Sequence, residues 1–341
     1  MSTTGSTLRV GVMGAGAIGC FVGGRLAAGN EAEVTFVGRS SLGDKIREHG
    51  LTLRAFDGEY HVAPSRVRFA TEVAALAECD VVLVSVKSGA TASTATALAG
   101  VLPPSTIVVS LQNGVRNAEV LRAQLPHNRV VTGIVGFNVV MQDNAVFKQS
   151  ITGPLVVEAK PAERWVDALH TSGLEVQTIT PIAPEQWAKL IVNLNNAVAA
   201  LSGASTPELI LSPRFRRVMT LLLDEALDVV AAAGIKPAKF RGVPLRAMSF
   251  IFKLPTPLVR LVLSAQLQVD PESRASMYWD LERQRLTEVD FLNGEIIELA
   301  ESAGMDAPYN RRITGLVHEA EQAGQGSPRM TAEALLSTLT H

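Results

Sequence analysis

Three polar side chains inside an otherwise apolar segment, Lys189, Asn193 and Asn196, have the types and spacing to act on a carbonyl group. On a continuous α-helix they fall within ~60° of one another, with Trp187, Leu190, Ile191, Leu194, Val198 and Leu201 gathered on the opposite face. An ammonium can protonate a carbonyl oxygen as hydride reaches its carbon, and amides can hold the hydroxyl or carboxylate of a keto acid. The competing interpretation is a solvated helix face, the usual fate of a charged stripe. Against it, asparagine is a poor helix-interior residue, and Asn193, Asn195 and Asn196 crowd one turn, an unfavourable choice unless their hydrogen bonds serve something. No histidine lies in a motif that competes for the role.

A second constellation lies near the chain start. Gly14-Ala15-Gly16-Ala17-Ile18-Gly19 follows an apolar run, Leu8 to Met13, and opens a helical pattern from Ala17 to Ala28. The first glycine permits a tight turn, the second lets backbone amides approach a pyrophosphate, and the third lets helix and strand pack closely. The spacing alone is weak evidence; strand before, helix after and a further strand at Glu33 to Val37 turn it into a dinucleotide fingerprint. After that further strand, where NAD sites place a carboxylate, the chain has Arg39 followed by Ser40 and Ser41. Arginine can pair with a 2′-phosphate, so NADP(H) is expected over NAD(H), the alternative being a solvated surface arginine. Lys87 and Asn113, just after two more apolar runs, are candidate cofactor contacts, with ordinary strand-to-helix turn chemistry as the alternative.

The elements required to position these residues can be read from the same pattern. Strands are expected at Leu8 to Met13, Glu33 to Val37, Val81 to Val86, Thr106 to Leu111 and Val130 to Val135. Helices are expected at Ala17 to Ala28, Ala70 to Ala77, Thr91 to Leu102 and Asn117 to Gln124. Between Val146 and Thr180 further strands, including Pro154 to Glu158 and Leu174 to Ile179, flank a helix near Ala162 to Ser172 and extend the same sheet. After Pro184 strand signals nearly vanish. The expectation is an α/β protein with an N-terminal Rossmann-type dinucleotide-binding domain, residues 1–183, and a C-terminal all-helical catalytic domain, residues 184–341, able to close over the cofactor.

Composition narrows the partners. A formal charge of −2 gives no global attraction to nucleic acid or an acidic membrane. Cys20 and Cys79 offer no metal-ligand cluster and read as small buried hydrophobes in a reducing compartment. The N-terminus lacks the pattern of a secretory leader, so a cytoplasmic location is expected. The apolar stretch Ser249 to Ala265 is interrupted by Lys253, Pro255, Pro257 and Arg260; it suits a buried helix pair or a subunit contact, such as that of a homodimer, better than a membrane span.

Taken together, GAGAIG at 14–19, Arg39, VKSGAT at 86–91, SLQNGV at 110–115, WAKLIVN at 187–193 and SMYWDLERQRLTEVDFLNG at 276–294 resemble the ketopantoate reductase (2-dehydropantoate 2-reductase) family of the 6-phosphogluconate dehydrogenase-like superfamily. These segments run across nearly the whole chain in the family's order. The resemblance implies reduction of 2-dehydropantoate by NADPH, with Lys189 as proton donor and Glu288 near both that lysine and the nicotinamide. It implies that Asn193 and Ser276 hold substrate, that Asn113 touches cofactor and substrate, and that Arg39 and Lys87 contact NADP. Many members carry a second substrate asparagine eight residues after the lysine; here that position is Ala197, and Asn196 precedes it. The same chemistry on another branched 2-oxo acid, or a non-catalytic NADP-binding regulator, are the alternatives to a pantoate-forming enzyme.

Overall fold

Short runs of Val, Ile and Leu with almost no polar interruption make strands buried on both faces, as a parallel sheet covered by helices requires. The computed structural model describes residues 7–263 and 274–340, and the chain divides into two compact units, one up to Ile182 and the other from Ala183.

The first unit is built on an eight-stranded sheet. Its strands are β1 (Leu8–Met13), β2 (Ala32–Val37), β5 (Arg68–Ala70), β6 (Val81–Val84), β7 (Ile107–Ser110), β8 (Arg129–Val135), β11 (Leu155–Val157) and β12 (Val176–Thr178). They lie in the order β12-β11-β8-β7-β6-β1-β2-β5. Every pairing is parallel except that of β11 with β8, so the expected parallel sheet is present and the final two strands extend it in reverse. Helices α1 (Ala17–Ala28), α2 (Ser40–His49), α3 (Thr91–Ala99), α4 (Asn117–Gln124) and α5 (Arg164–Thr171) belong to the same unit.

A smaller sheet was not foreseen. The strands β3 (Leu51–Ala55), β4 (Gly58–Val62), β9 (Asn138–Met141) and β10 (Val146–Ile151) form it in the order β4-β3-β10-β9. The run beginning at Val146 therefore belongs to this second sheet rather than extending the first. Helix α1 packs against strands of both sheets, which explains why it is apolar nearly all round. A Cβ on Gly23 would stand 2.7 Å from Phe36, and one on Gly24 2.9 Å from Leu53, so bare backbone lets each sheet approach. Arg25, on the same helix, is buried; it grips Asp57 with two bonds of 2.9 Å and donates Nε–H to the Ser172 carbonyl. Its guanidinium carbon lies 3.9 Å from the Tyr60 ring centre. This clamp fastens the β3–β4 hairpin to α1 and to the end of α5.

The expected helix over Ala70 to Ala77 is absent. Arg68–Ala70 pairs with β2 as an edge strand, and only one 3-10 turn follows at Val73–Leu76, so sheet pairing overrides alanine's helix propensity here.

The second unit is helical. Its helices are α6 (Ala183–Asn193), α7 (Asn195–Ser202), α8 (Thr206–Leu211), α9 (Pro213–Ala232), α10 (Leu245–Lys253), α11 (Thr256–Val262), α12 (Ser276–Glu282), α13 (Asn293–Ser302), α14 (Pro308–Ala323) and α15 (Ala332–Thr340). Among its described residues the strand-like pairing is a single bridge, Phe240 with Val243. The long α9 is the hub, touching α6, α7, α8, α10, α13, α14 and α15. Buried Arg216 on α9 donates to the carbonyls of Ile210 and Leu211, closing α8, and to those of Phe252 and Leu254, closing α10. Carbonyl ends of helices offset its charge, with no acidic partner among the described residues. No helix among the described residues is long and apolar enough to cross a membrane, and no cluster of His, Cys, Asp or Glu there could hold a metal ion.

Candidate active site

In the first unit the glycine turn joins β1 to α1 at the point where the sheet order reverses, with β2 on one side of β1 and β6 on the other. Ligands of open α/β sheets bind beyond the carboxyl ends of strands at such a point. Gly14 has φ +100°, and a Cβ there would lie 2.7 Å from the Val86 amide nitrogen, so only glycine fits. The amides of Gly14 and Ala15 both donate to the Val37 carbonyl, at 3.1 and 3.0 Å. Gly16 caps α1 and is solvent-facing, with nothing within 4 Å of where its Cβ would be. Ala17 and Ile18 follow in the first turn, where helix amides have no partner inside the helix, and Gly19 is buried beneath. An open face over unpaired amides at the positive end of a helix fits the pyrophosphate of a dinucleotide.

The neighbouring strand ends carry the other expected contacts. Arg39 is exposed at the start of α2, just after β2, and pairs with no acidic side chain among the described residues. Lys87 is exposed after β6, and Asn113 is half-buried after β7. The order β7-β6-β1-β2 places these loops side by side. A polar support that sequence reading missed lies beneath them. Ser85 Oγ donates to the Gly14 carbonyl at 2.7 Å, bracing the turn from below. Ser88 Oγ donates to the Asn113 carbonyl at 3.1 Å, Gln112 Nε2 to Thr91 Oγ1 at 2.6 Å, and Asn117 Nδ2 to Ser88 Oγ at 3.2 Å. Ser88, Thr91, Gln112 and Asn117 are buried, so the loops after β6 and β7 are locked to each other. Polar residues clustering after two apolar strands were the available signal.

In the second unit Lys189 and Asn193 stand on α6 and Asn196 on α7, each half-buried, while Leu190, Ile191, Leu194, Val198 and Leu201 are in the core. Trp187 is only half-buried. The expected single helix is interrupted: the Leu194 amide reaches Ile191 rather than the residue four back, at 3.4 Å, and α7 restarts at Asn195. Asparagine's poor tolerance of helix interiors accounts for the lapse falling here. Ala197 is fully buried, facing the core.

Glu288 is buried in a short turn, Val289–Phe291 following it directly, and its charge reaches Lys189. Although the Lys189 side chain as a whole is only half-buried, its ammonium end is enclosed, and that desolvation pushes it down to about 8, while the Glu288 carboxylate acts in the opposite direction and keeps it from falling further. The lysine is thus both charged and able to give up its proton near neutral pH, the property a general acid needs. Ser276 is the first residue of α12, a helix that packs against α7. The unit therefore holds a poised ammonium, a buried carboxylate and amides on adjacent elements, a set suited to protonating and orienting a keto acid.

Comparison with known proteins places both units. Residues 10–161 match the family model described as ketopantoate reductase PanE/ApbA, and residues 181–321 match that of its C-terminal part. The 2-dehydropantoate 2-reductase of Halobacterium salinarum is 30% identical over 326 residues, spanning 93% of this chain and 100% of its own. Among solved structures, a PanE/ApbA family ketopantoate reductase from Ralstonia eutropha JMP134 is 29% identical with TM-score 0.80, covering 93% of this chain and 100% of that one. The fold is also similar to that of a D-mandelate dehydrogenase solved with NADH and anilino(oxo)acetate, with TM-score 0.75 and 21% identity over 93% of this chain and 99% of that one.

Proposed function

This chain belongs to the ketopantoate reductase family, oxidoreductases that act on a keto group with a pyridine nucleotide, and from that premise we propose that it reduces 2-dehydropantoate to pantoate with NADPH, the reductive step toward pantothenate. The observation that carries the reading is the poise of Lys189 between burial and the Glu288 carboxylate. The bound cofactor supplies hydride to the keto carbon. Lys189 delivers the proton to the carbonyl oxygen, and Glu288 sustains the ammonium that does so. Asn193, Asn196 and Ser276 hold the substrate's hydroxyl and carboxylate, and Asn113 orients cofactor and substrate. The turn formed by Gly14, Ala15, Gly16, Ala17, Ile18 and Gly19 receives the pyrophosphate, with the first-turn amides of Ala17 and Ile18 as its donors, and Arg39 and Lys87 bind the phosphates of NADP(H).

Buried Ala197 favours a second reading, the same chemistry on another branched 2-oxo acid. No amide can be offered from that position, so the set of donors for the pantoyl hydroxyl differs from that of the family members with asparagine there. An NADPH and NADH oxidation assay over 2-dehydropantoate, 2-oxoisovalerate and related acids separates the two. Fastest turnover of 2-dehydropantoate with NADPH is expected; negligible turnover of it beside brisk turnover of another acid would end the leading assignment.

We also read the protein as a cytoplasmic homodimer. Two free, buried cysteines suit a reducing compartment, and Phe250, Leu258, Leu261 and Val262 leave an exposed apolar face on α10 and α11 suited to a second copy. Sedimentation at micromolar concentration checks the dimer; a monomer there would remove it.

A further inference from the structure

Two asparagines outside the reacting cluster, Asn293 and Asn310, are wholly buried in the helical unit. Asn293 opens α13, and its Nδ2 donates to Asn310 Oδ1 at 3.0 Å. Asn310 lies in the first turn of α14, and its own Nδ2 donates to Glu225 Oε2, on α9, at 2.8 Å. The Glu225 carboxylate also accepts the backbone amides of Tyr309 and Asn310, at 2.9 and 2.7 Å, so it caps α14 from a neighbouring helix. Asn293 Oδ1 meets no donor among the described residues. As packing alone this is a poor choice, because a sealed amide with one unmet oxygen is less stable than an apolar pair of the same shape.

The position of the pair explains the choice. The segment from Thr287 to Asn293 carries Glu288 at one end and Asn293 at the other, and it is held against α14 along its length. The Thr287 amide donates to Glu321 at 2.7 Å, His318 pairs with Asp290 at 2.9 Å, and Asn293 holds Asn310. The two surface-side ties are exposed or half-buried, and the amide pair is the dry one.

We propose that Asn293 and Asn310 are positioning residues whose buried amide pair, anchored on Glu225, holds the Glu288 turn and so sets the distance from that carboxylate to Lys189. This rests on the reading that Lys189 is the proton donor. The Glu288 charge acts directly on Lys189. On α9, which packs against α6, the acids are engaged elsewhere: Asp224 with Lys253, Glu225 with α14 and Asp228 with Arg246. Of the cations there, Arg214 pairs with Glu333 and Arg216 is held by carbonyls, while Arg217 is exposed. Around the turn itself the charged groups are Asp290, His318 and Glu321, together with Glu295 on α13.

The test is the pH dependence of kcat for the best keto acid, measured on wild type, Glu288→Gln, Asn293→Ala and the double variant. Wild-type rate should fall as pH rises through about 8, where the ammonium is lost. Removing the Glu288 charge should move that limb down by about one pH unit. Asn293→Ala should move it in the same direction and lower kcat on the order of 10-fold. In the double variant the limb should stay where Glu288→Gln alone puts it. A folded Asn293→Ala enzyme with its limb at the wild-type position, or a double variant whose limb moves further, would overturn the proposal. Asn310→Ala breaks the pair from the other side and reads the same limb, so a poorly folding first variant leaves the question answerable; an unmoved limb there overturns it too. If Glu288→Gln itself leaves the limb in place, the pairing of Lys189 with Glu288 fails as a mechanism, an outcome distinct from failure of the amide pair alone.

Discussion

The two units build their candidate sites from different material. In the first, the working surface is backbone: a glycine at φ +100°, a second with open space over it, and helix amides at the end of a strand. In the second, the candidate residues are side chains on α6, α7, α12 and the turn after Thr287, with Glu288 acting on Lys189. A backbone cradle recognises what all pyridine dinucleotides share, so it needs little adjustment when the substrate changes. On the proposed reading, proton delivery and selectivity rest on separate side chains, each of which can be altered singly.

That contrast predicts which changes remove chemistry and which remove binding. The largest effect should come from Lys189→Ala, which removes the proposed proton donor: turnover should fall about 10²–10⁴-fold while NADPH affinity, read by fluorescence titration, stays near wild type. Equal loss of both would mean that the two sites are not separable in this way. Next, Arg39→Ala should lower the preference for NADPH over NADH about 10- to 100-fold, the worth of a charge-assisted bond to a phosphate, with little change in kcat. An unchanged cofactor ratio would return Arg39 to a solvated surface residue. Gly16→Ala should weaken cofactor binding about 10-fold, since the new methyl stands over the amides, yet shift stability by less than ~0.5 kcal/mol, because nothing in the protein lies within 4 Å of it.

The smallest effect concerns the frame alone. Arg129 grips Glu163 at 2.7 and 2.8 Å and, with the Lys160 amide and the Trp165 indole, holds its carboxyl at about 2 against an ordinary 4.5. A lowered carboxylate contributes stability above its unfolded value and loses it as pH falls toward the folded one. Melting temperature should therefore decline as pH drops from about 4.5 to about 2, and Glu163→Gln should flatten that decline while lowering Tm by a few degrees at neutral pH. A variant as acid-sensitive as wild type would assign the decline to other carboxylates.

What the sequence made legible follows the same division. Strand β1 and helices α1 and α4 lie where spacing places them, because buried parallel strands and their helices are specified by nearly continuous local signals. The small sheet was invisible for a physical reason. Its hairpin alternates Leu51 and Leu53 with half-buried Thr52 and exposed Arg54, Glu59 and His61 lie across from them, and over five residues that alternation offers too few apolar positions to stand out from loop. Its partner β10 comes from far along the chain. In the candidate site, the glycine turn is contiguous and so was readable in place. The approach of Glu288 to Lys189 was available only through the family resemblance, since no local rule connects residues so distant in sequence. Ser85, Thr91, Gln112 and Asn117 passed unnoticed because a hydroxyl or amide after a strand reads equally as turn chemistry.

The lapse of the helical ladder at Leu194 puts Lys189 and Asn193 on one footing and Asn196 on another. Lys189 and Asn193 are carried by α6 while Asn196 is carried by α7, so substitutions beyond the joint can re-aim Asn196, a proposed substrate contact, and leave the proposed proton donor in place. Descendants of such a protein could exchange one small acid for the next through a handful of changes downstream of residue 194, without reinventing the reaction.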